Sequence, residues 1–270
     1  MRKAKENDQW RGLNAPHKGR DSRIIQVGGH SLDISNKGTF FCGRNGSGKS
    51  QALREIKRQL ESEAVLLDLH SLCHSTLDIL RSRDDIAYMI EELSPAPIPR
   101  ETKNDIERIV GREYDEILWY ALELSPTEEG GPFSAALPAL EESLVPYFLV
   151  THKGHQYDSS SMGLGELAVH ILYWSLLQVK DFPSLVCILD EPDAYLTPEA
   201  STALFSRLLA LGRKEEHKWS LVFSSHSNEA IVRANDAQVL YVSKLDADGE
   251  FSITRSADSM LTGSSRFTVR

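Results

Sequence analysis

The spacing of apolar residues changes several times along the chain, and the changes predict an alternating series of strands and helices. Ile24, Ile25 and Val27, the pair Gly28-Gly29, then Leu32 and Ile34 read as a short hairpin, and Thr39 to Cys42 reads as a buried strand. Leu53, Ile56 and Leu60 repeat at helical spacing within 51–63, and the apolar run 64–69 reads as the next strand. From 70 to about 144 the pattern turns helical. Ile106, Ile109, Val110, Tyr114, Ile117, Leu118 and Ala121 form one amphipathic stripe over 101–124, with breaks at the Pro-rich 94–99 and the loop 125–132. Beyond it come a strand over 147–150, a helix over 163–179 and a continuous apolar strand from Leu185 to Leu189. A helix over 198–212, a strand from Trp219 to Phe223, a helix over 227–234 and a strand from Val239 to Val242 complete the series.

This pattern predicts one α/β domain over 23–270 with a helical insertion at about 70–145, a size that suits 270 residues. Residues 1–22 show no periodicity and carry Arg2, Lys3, Lys5, Arg11, Lys18 and Arg20. They read as a basic, solvated, flexible extension with order beginning near Arg23, the alternative being an arm that binds phosphates. The net charge of −9 argues against nucleic-acid binding over the whole surface and leaves a local contact open. No apolar run approaches the roughly 18 residues of a membrane span and the N-terminus has no apolar signal core, so the expectation is a cytoplasmic protein. Cys42, Cys73 and Cys187 are scattered, two of them in apolar strand-like runs, and read as buried thiols.

Candidate chemistry sits at the ends of the predicted strands. Gly43-Arg44-Asn45-Gly46-Ser47-Gly48-Lys49-Ser50 matches the phosphate-loop pattern GxxxxGK[ST] between a strand and a helix. Glycines let such a loop point several N–H groups at a phosphate chain, to which the helix N-terminus adds its dipole. Lys49 is then expected between the β- and γ-phosphates, and the Ser50 hydroxyl on Mg²⁺. Leu185 to Leu189 ends in Asp190-Glu191, the Walker B arrangement: Asp190 is the candidate Mg²⁺ ligand and Glu191 the candidate base that activates water. His226 follows the next strand, where a polar side chain would face the γ-phosphate. Ser159 to Glu166 precedes a helix, and on its own reads as an N-cap cluster or a second anion site.

In this order the four elements resemble the ABC-type ATPase superfamily over most of 24–242. The resemblance implies a P-loop NTPase head with a mixed central sheet and an inserted helical lobe, ATP and Mg²⁺ as cofactors, and ATPase activity. It also makes Ser161-Met162-Gly163-Leu164-Gly165-Glu166 the signature motif. Ser161, Gly163 and Gly165 would then complete the ATP site of a second copy in a head-to-tail homodimer. SMGLGE departs from the transporter LSGGQ, and Glu191-Pro192-Asp193-Ala194-Tyr195-Leu196-Thr197-Pro198 is similar to the EPE-x-x-LHP pattern of OLD-like and RecF-like ATPases of DNA repair and bacterial defence. With no room for a Toprim domain, that resemblance implies a nucleotide-gated switch acting on a separate effector, a nuclease or toxin. The alternatives are the nucleotide-binding subunit of a membrane transporter and an ATP sensor without turnover. Asp68 and His70 are candidates for the family's Mg²⁺-contacting Gln position, and no aromatic residue is evident for stacking on adenine.

Overall fold

The computed structural model describes residues 8–123, 133, 136, 137 and 144–256. Its centre is a six-stranded sheet ordered β11-β10-β3-β9-β8-β4. Here β3 is Gly38–Cys42, β4 Ala64–Asp68, β8 Val186–Asp190, β9 Ser220–Ser224, β10 Leu240–Leu245 and β11 Phe251–Arg255. The pairings from β10 to β4 are parallel and β11 closes one edge antiparallel to β10, so the sheet is mixed. Every residue of β3, β8 and β9 is buried, as expected of strands covered on both faces.

Alternation along β3 shows how the two faces are filled. Phe41 joins a cluster with Ala52, Leu53, Ile56 and Leu60 of helix α1 (Lys49–Leu60) and with Val27 and Leu32 of the hairpin β1 (Ile24–Val27) and β2 (His30–Asp33). Gly28 and Gly29 turn that hairpin with φ of +51° and +73°, a pair that non-glycine residues rarely adopt. Phe40 and Cys42 face the other way, into the main core with helices α5 (Leu164–Gln178) and α6 (Pro198–Gly212). Helix α7 (Asn228–Asp236) follows β9.

The insertion departs from expectation. It holds helices α2 (Leu69–Arg81), α3 (Ile86–Glu92) and α4 (Arg100–Val110), and also a three-stranded antiparallel sheet of β5 (Glu116–Glu123), β6 (Leu144–His152) and β7 (His155–Asp158). The stripe over 101–124 is therefore a helix only to Val110. Gly111 ends it in the left-handed region at φ +73°, its N–H donating to Glu107 O. Past that point Ile117, Trp119 and Ala121 pack on the main core while Leu118, Tyr120 and Leu122 pack on a separate cluster with Val145 and Tyr147. That is strand alternation with both faces apolar, which a helical stripe imitates. The expected loop 125–132 lies outside the described residues.

The N-terminal expectation is also corrected. Trp10 and Leu13 belong to the main core, the Trp10 ring 5.1 Å from that of Phe40. His17 Nε2 lies 2.8 Å from Trp219 O, and the Arg20 guanidinium donates to the carbonyls of Lys218 and Ser184 and to Ser220 Oγ. Arg20 is thus spent on the start of β9. The three cysteines are buried and free, burial raising the Cys42 thiol to about 11 and Cys73 to about 12. Among the described residues no helix is long and apolar enough to cross a membrane.

Candidate functional site

The loop Gly43–Ser50 leaves the carboxyl end of β3 and enters α1, and its shape is set by glycine. Gly43 (φ +153°) and Gly48 (φ +88°) lie where side chains are rarely tolerated. A Cβ on Gly43 would meet Ser47 Oγ at 2.4 Å and Ser243 O at 2.6 Å, and one on Gly48 would meet Phe251 Cβ at 2.7 Å. The loop is braced from the β10–β11 edge, where Ser243 Oγ donates to Ser47 O over 2.6 Å. Ser47 Oγ itself is buried without a hydrogen-bond partner among the described residues. That hydroxyl is turned inward against Gly43, and Ser47 is not among the residues that line the cleft around Lys49.

Lys49, only 4 % exposed, sends its ammonium to the centre of the site. Nζ lies 2.9 Å from His226 Nε2, 3.4 Å from Glu191 Oε1 and 3.4 Å from each of the carbonyls of Gly43 and Arg44. The ammonium can only donate, and the role of His226 Nε2 follows the ring's tautomer. His226 Nε2 also lies 3.0 Å from Glu191 Oε1, so Lys49, His226 and Glu191 meet at one point. Asn45, Gly46, Gly48, Lys49, Ser50 and Glu191 line a cleft of about 420 Å³ here.

The carboxylates are fixed by Ser224 at the end of β9, the strand between β3 and β8. Ser224 Oγ donates to Asp190 Oδ1 and accepts from the Glu191 N–H at 2.8 Å. One hydroxyl therefore orients the buried Asp190 side chain and the backbone of Glu191. Glu191 sits at φ +45°, an uncommon conformation for a residue with a side chain. That turn swings Glu191 out of the strand direction towards Lys49. Among the described residues no cluster of three His, Cys, Asp or Glu side chains could hold a metal alone. The donor set of one hydroxyl, Ser50, and one carboxylate, Asp190, fits Mg²⁺, which ordinarily completes its shell with phosphates and water.

The segment before α5 is built differently. Asp158 Oδ1 accepts from the N–H groups of Ser160 and Ser161 and from Ser161 Oγ, and Tyr147 holds its other oxygen. Gly163 is the N-cap of α5. At Gly165 a Cβ would come within 2.5 Å of Tyr195 O, so the Glu191–Thr197 turn is packed directly against this segment. Ser161 and Gly163 are exposed, and none of Ser161, Gly163 and Gly165 lines the cleft around Lys49 in the same chain. Behind them the buried Glu166 accepts from the hydroxyls of Tyr114 and Tyr157 and from Arg112. Burial and that carboxylate raise both phenols.

Several participants were not evident from local pattern. Ser243, Phe251, Tyr114 and Arg112 act through contacts between distant segments, whereas Asp158 closes a local turn onto Ser160 and Ser161. Asp68 is engaged as the N-cap of α2, accepting from the N–H and Oγ of Ser71. His70 stacks on Tyr195 with ring centroids 5.9 Å apart.

No protein-family model matches the chain, and no curated protein is similar to it. Among solved structures, an Smc head bound to the C-winged helix domain of ScpA is similar at 12 % identity and a TM-score of 0.37, over 77 % of this chain and 55 % of that one. An Smc head with an extended coiled coil, bound to the C-terminal domain of ScpA derived from Pyrococcus furiosus, gives 15 % and 0.36 over 80 % and 56 %. The chain thus spans little more than half the length of these heads. An ATP-binding cassette of an ABC transporter in its ADP conformation gives 12 % and 0.35 over 89 % and 91 %. What the site can do is read from its own geometry.

Proposed function

We propose that this chain binds ATP on the Gly43–Ser50 loop, hydrolyses it with Glu191 as general base, and works as a head-to-tail dimer. The observation that carries this reading is the meeting of Lys49 with Glu191 and His226 behind a glycine-shaped loop at a helix N-terminus. Backbone N–H groups of the loop and the first turn of α1 cradle phosphates, and Lys49 neutralises them. Ser50 and Asp190 would hold Mg²⁺, which when bound offsets the charge of the β- and γ-phosphates. Glu191 orients a water and takes its proton as the water oxygen bonds to the γ-phosphorus and the bond to the bridging oxygen breaks. His226 contacts the γ-phosphate.

Each site is completed by Ser161, Gly163 and Gly165 of a second copy, a reading supported by the exposure of Ser161 and Gly163 and by the absence of all three from the lining of their own chain's cleft. ATP then favours the closed dimer through contacts absent from the open one, so that nucleotide state becomes shape. The output of this switch is control of a separate effector, a nuclease or toxin, in defence or DNA repair, in line with the Glu191-to-Pro198 pattern.

The test is phosphate release by the purified chain with Mg²⁺ and ATP, alongside two variants. Lys49→Ala abolishes ATP binding by calorimetry, and unimpaired affinity would refute the loop assignment. Ser161→Arg binds ATP as a monomer and does not dimerise with ATP by light scattering; a variant that still dimerises removes the composite site. Mass spectrometry of the native complex identifies the effector, and recovery of a membrane permease in its place overturns that role.

A further inference from the structure

The half-buried Asp193, two residues beyond Glu191, has no Lys or Arg partner among the described residues. Its carboxylate accepts from two hydroxyls: Oδ2 lies 2.9 Å from Ser201 Oγ in the first turn of α6, and the Ser225 hydroxyl is shared between Oδ2 at 3.0 Å and Oδ1 at 3.2 Å. Ser225 Oγ in turn accepts from the Ser227 N–H at 3.0 Å, while the Ser225 N–H donates to Phe41 O at the end of β3. His226 is the residue enclosed by these bonds. Capping does not account for the carboxylate, because the α6 N-terminus is already capped by Thr197 Oγ1. Desolvating a carboxylate against neutral donors costs stability relative to a small apolar or hydroxyl side chain.

We propose that Asp193 is a positioning residue that ties the turn bearing His226 to the strand end bearing Glu191, so that the two meet Lys49 as one unit. Ser224 links the two strand ends at one point, through Asp190 and the Glu191 backbone, and Asp193 links them at a second, through the Ser225 hydroxyl next to His226, which also accepts from the Ser227 N–H beyond it. Two fixed points prevent the His226 turn from rotating about a single hydrogen bond. The proposal rests on the hydrolytic reading for its rate consequences but not for its geometry.

The experiment compares wild type with Asp193→Ala, Asp193→Asn, Ser225→Ala and the double variant Asp193→Ala/Ser225→Ala. It measures kcat, KM, ATP affinity at equilibrium, the melting temperature and the His226 Cε1–H resonance in a selectively labelled chain. Asp193→Ala is expected to lower kcat about 10- to 100-fold, the scale of a misplacement of about 1 Å. ATP affinity changes less than about twofold and the His226 resonance moves. Asp193→Asn, which keeps one acceptor oxygen, recovers part of the rate. The double variant loses no more than the worse single one, because both remove the same tie. An unmoved His226 resonance in Asp193→Ala overturns the proposal whether or not the wild type turns over ATP. So do a kcat within twofold of wild type, a parallel loss of ATP affinity, or multiplied losses in the double variant. Absence of turnover in the wild type itself refutes the hydrolytic reading and leaves the resonance as the judge of Asp193.

Discussion

Glu191→Gln is the sharpest test of the chemistry, because the structure shows how little else it changes. The backbone N–H that donates to Ser224 Oγ is untouched, and Gln is no more strained than Glu at φ +45°. An amide oxygen in place of Oε1 still accepts from Lys49 at 3.4 Å. What disappears is the negative charge that would take a proton from water, and general-base catalysis contributes roughly 10²- to 10⁴-fold. At about 1.4 kcal/mol per tenfold, the barrier rises by about 3 to 6 kcal/mol. ATP affinity holds or improves, since a charge facing the γ-phosphate has gone, and the variant accumulates as an ATP-bound dimer. Phosphate release under single- and multiple-turnover conditions gives kcat, a fluorescent ATP analogue gives affinity, and light scattering gives assembly. A kcat within threefold of wild type would refute the role of Glu191, since no group of comparable charge touches Lys49 from the opposite side of the cleft among the described residues.

Other predictions follow from single contacts. Gly43→Ala places a Cβ 2.6 Å from Ser243 O at φ +153°, and is expected to cost about 1 to 3 kcal/mol in a urea titration and to lose ATP binding. Trp10→Ala is expected to cost about 3 to 5 kcal/mol in the same titration, because the ring packs on Phe40 and Phe205; a loss below about 1 kcal/mol would return residues 8–22 to the status of a loose arm. His170 is fully buried, accepts from Trp119 Nε1 at Nδ1, and is lowered by desolvation from 6.5 to about 3. Its neutral form is the folded one, so below pH 6.5 the unfolded chain takes up a proton that the folded chain does not. Its contribution is a stability loss of about 1.4 kcal/mol per pH unit from 6.5 down towards 3, and none above 6.5. His170→Gln, measured by urea titration at pH 7 and pH 5, should shallow that slope.

Legibility from the sequence varied with how local the cause was. The helix expected over 198–212 is found at Pro198–Gly212, its start fixed locally by the Thr197 cap and Pro198 in the first turn. β5 imitates a helix in sequence because Ile117 to Leu122 has apolar residues on both faces, and only the partners Val145, Tyr147 and Phe148 across the pairing show the alternation. The docking of residues 8–22 hangs on Trp10, Leu13 and Arg20, too few to stand out in a polar run until the receiving surface of Phe40, Phe205 and β9 exists. β7 and β11 are short strands whose residues alternate weakly, so neither announced itself.

For the site, the sequence by itself determined the conformational demands that act over a few residues. The glycines that let Gly43–Ser50 curl and the apolar strand that delivers Asp190 and Glu191 to one edge belong to this class. Only the tertiary structure decided which side chains meet: Lys49 with His226 across 177 positions, Ser224 with Asp190 across 34, Ser243 with the loop across 196. The physical reason is strand order. Buried strands such as β3, β8 and β9 are apolar on both faces and carry no mark of their neighbours, so the placement of β9 between β3 and β8, on which every one of the Ser224 and His226 contacts depends, is settled by packing of the whole chain.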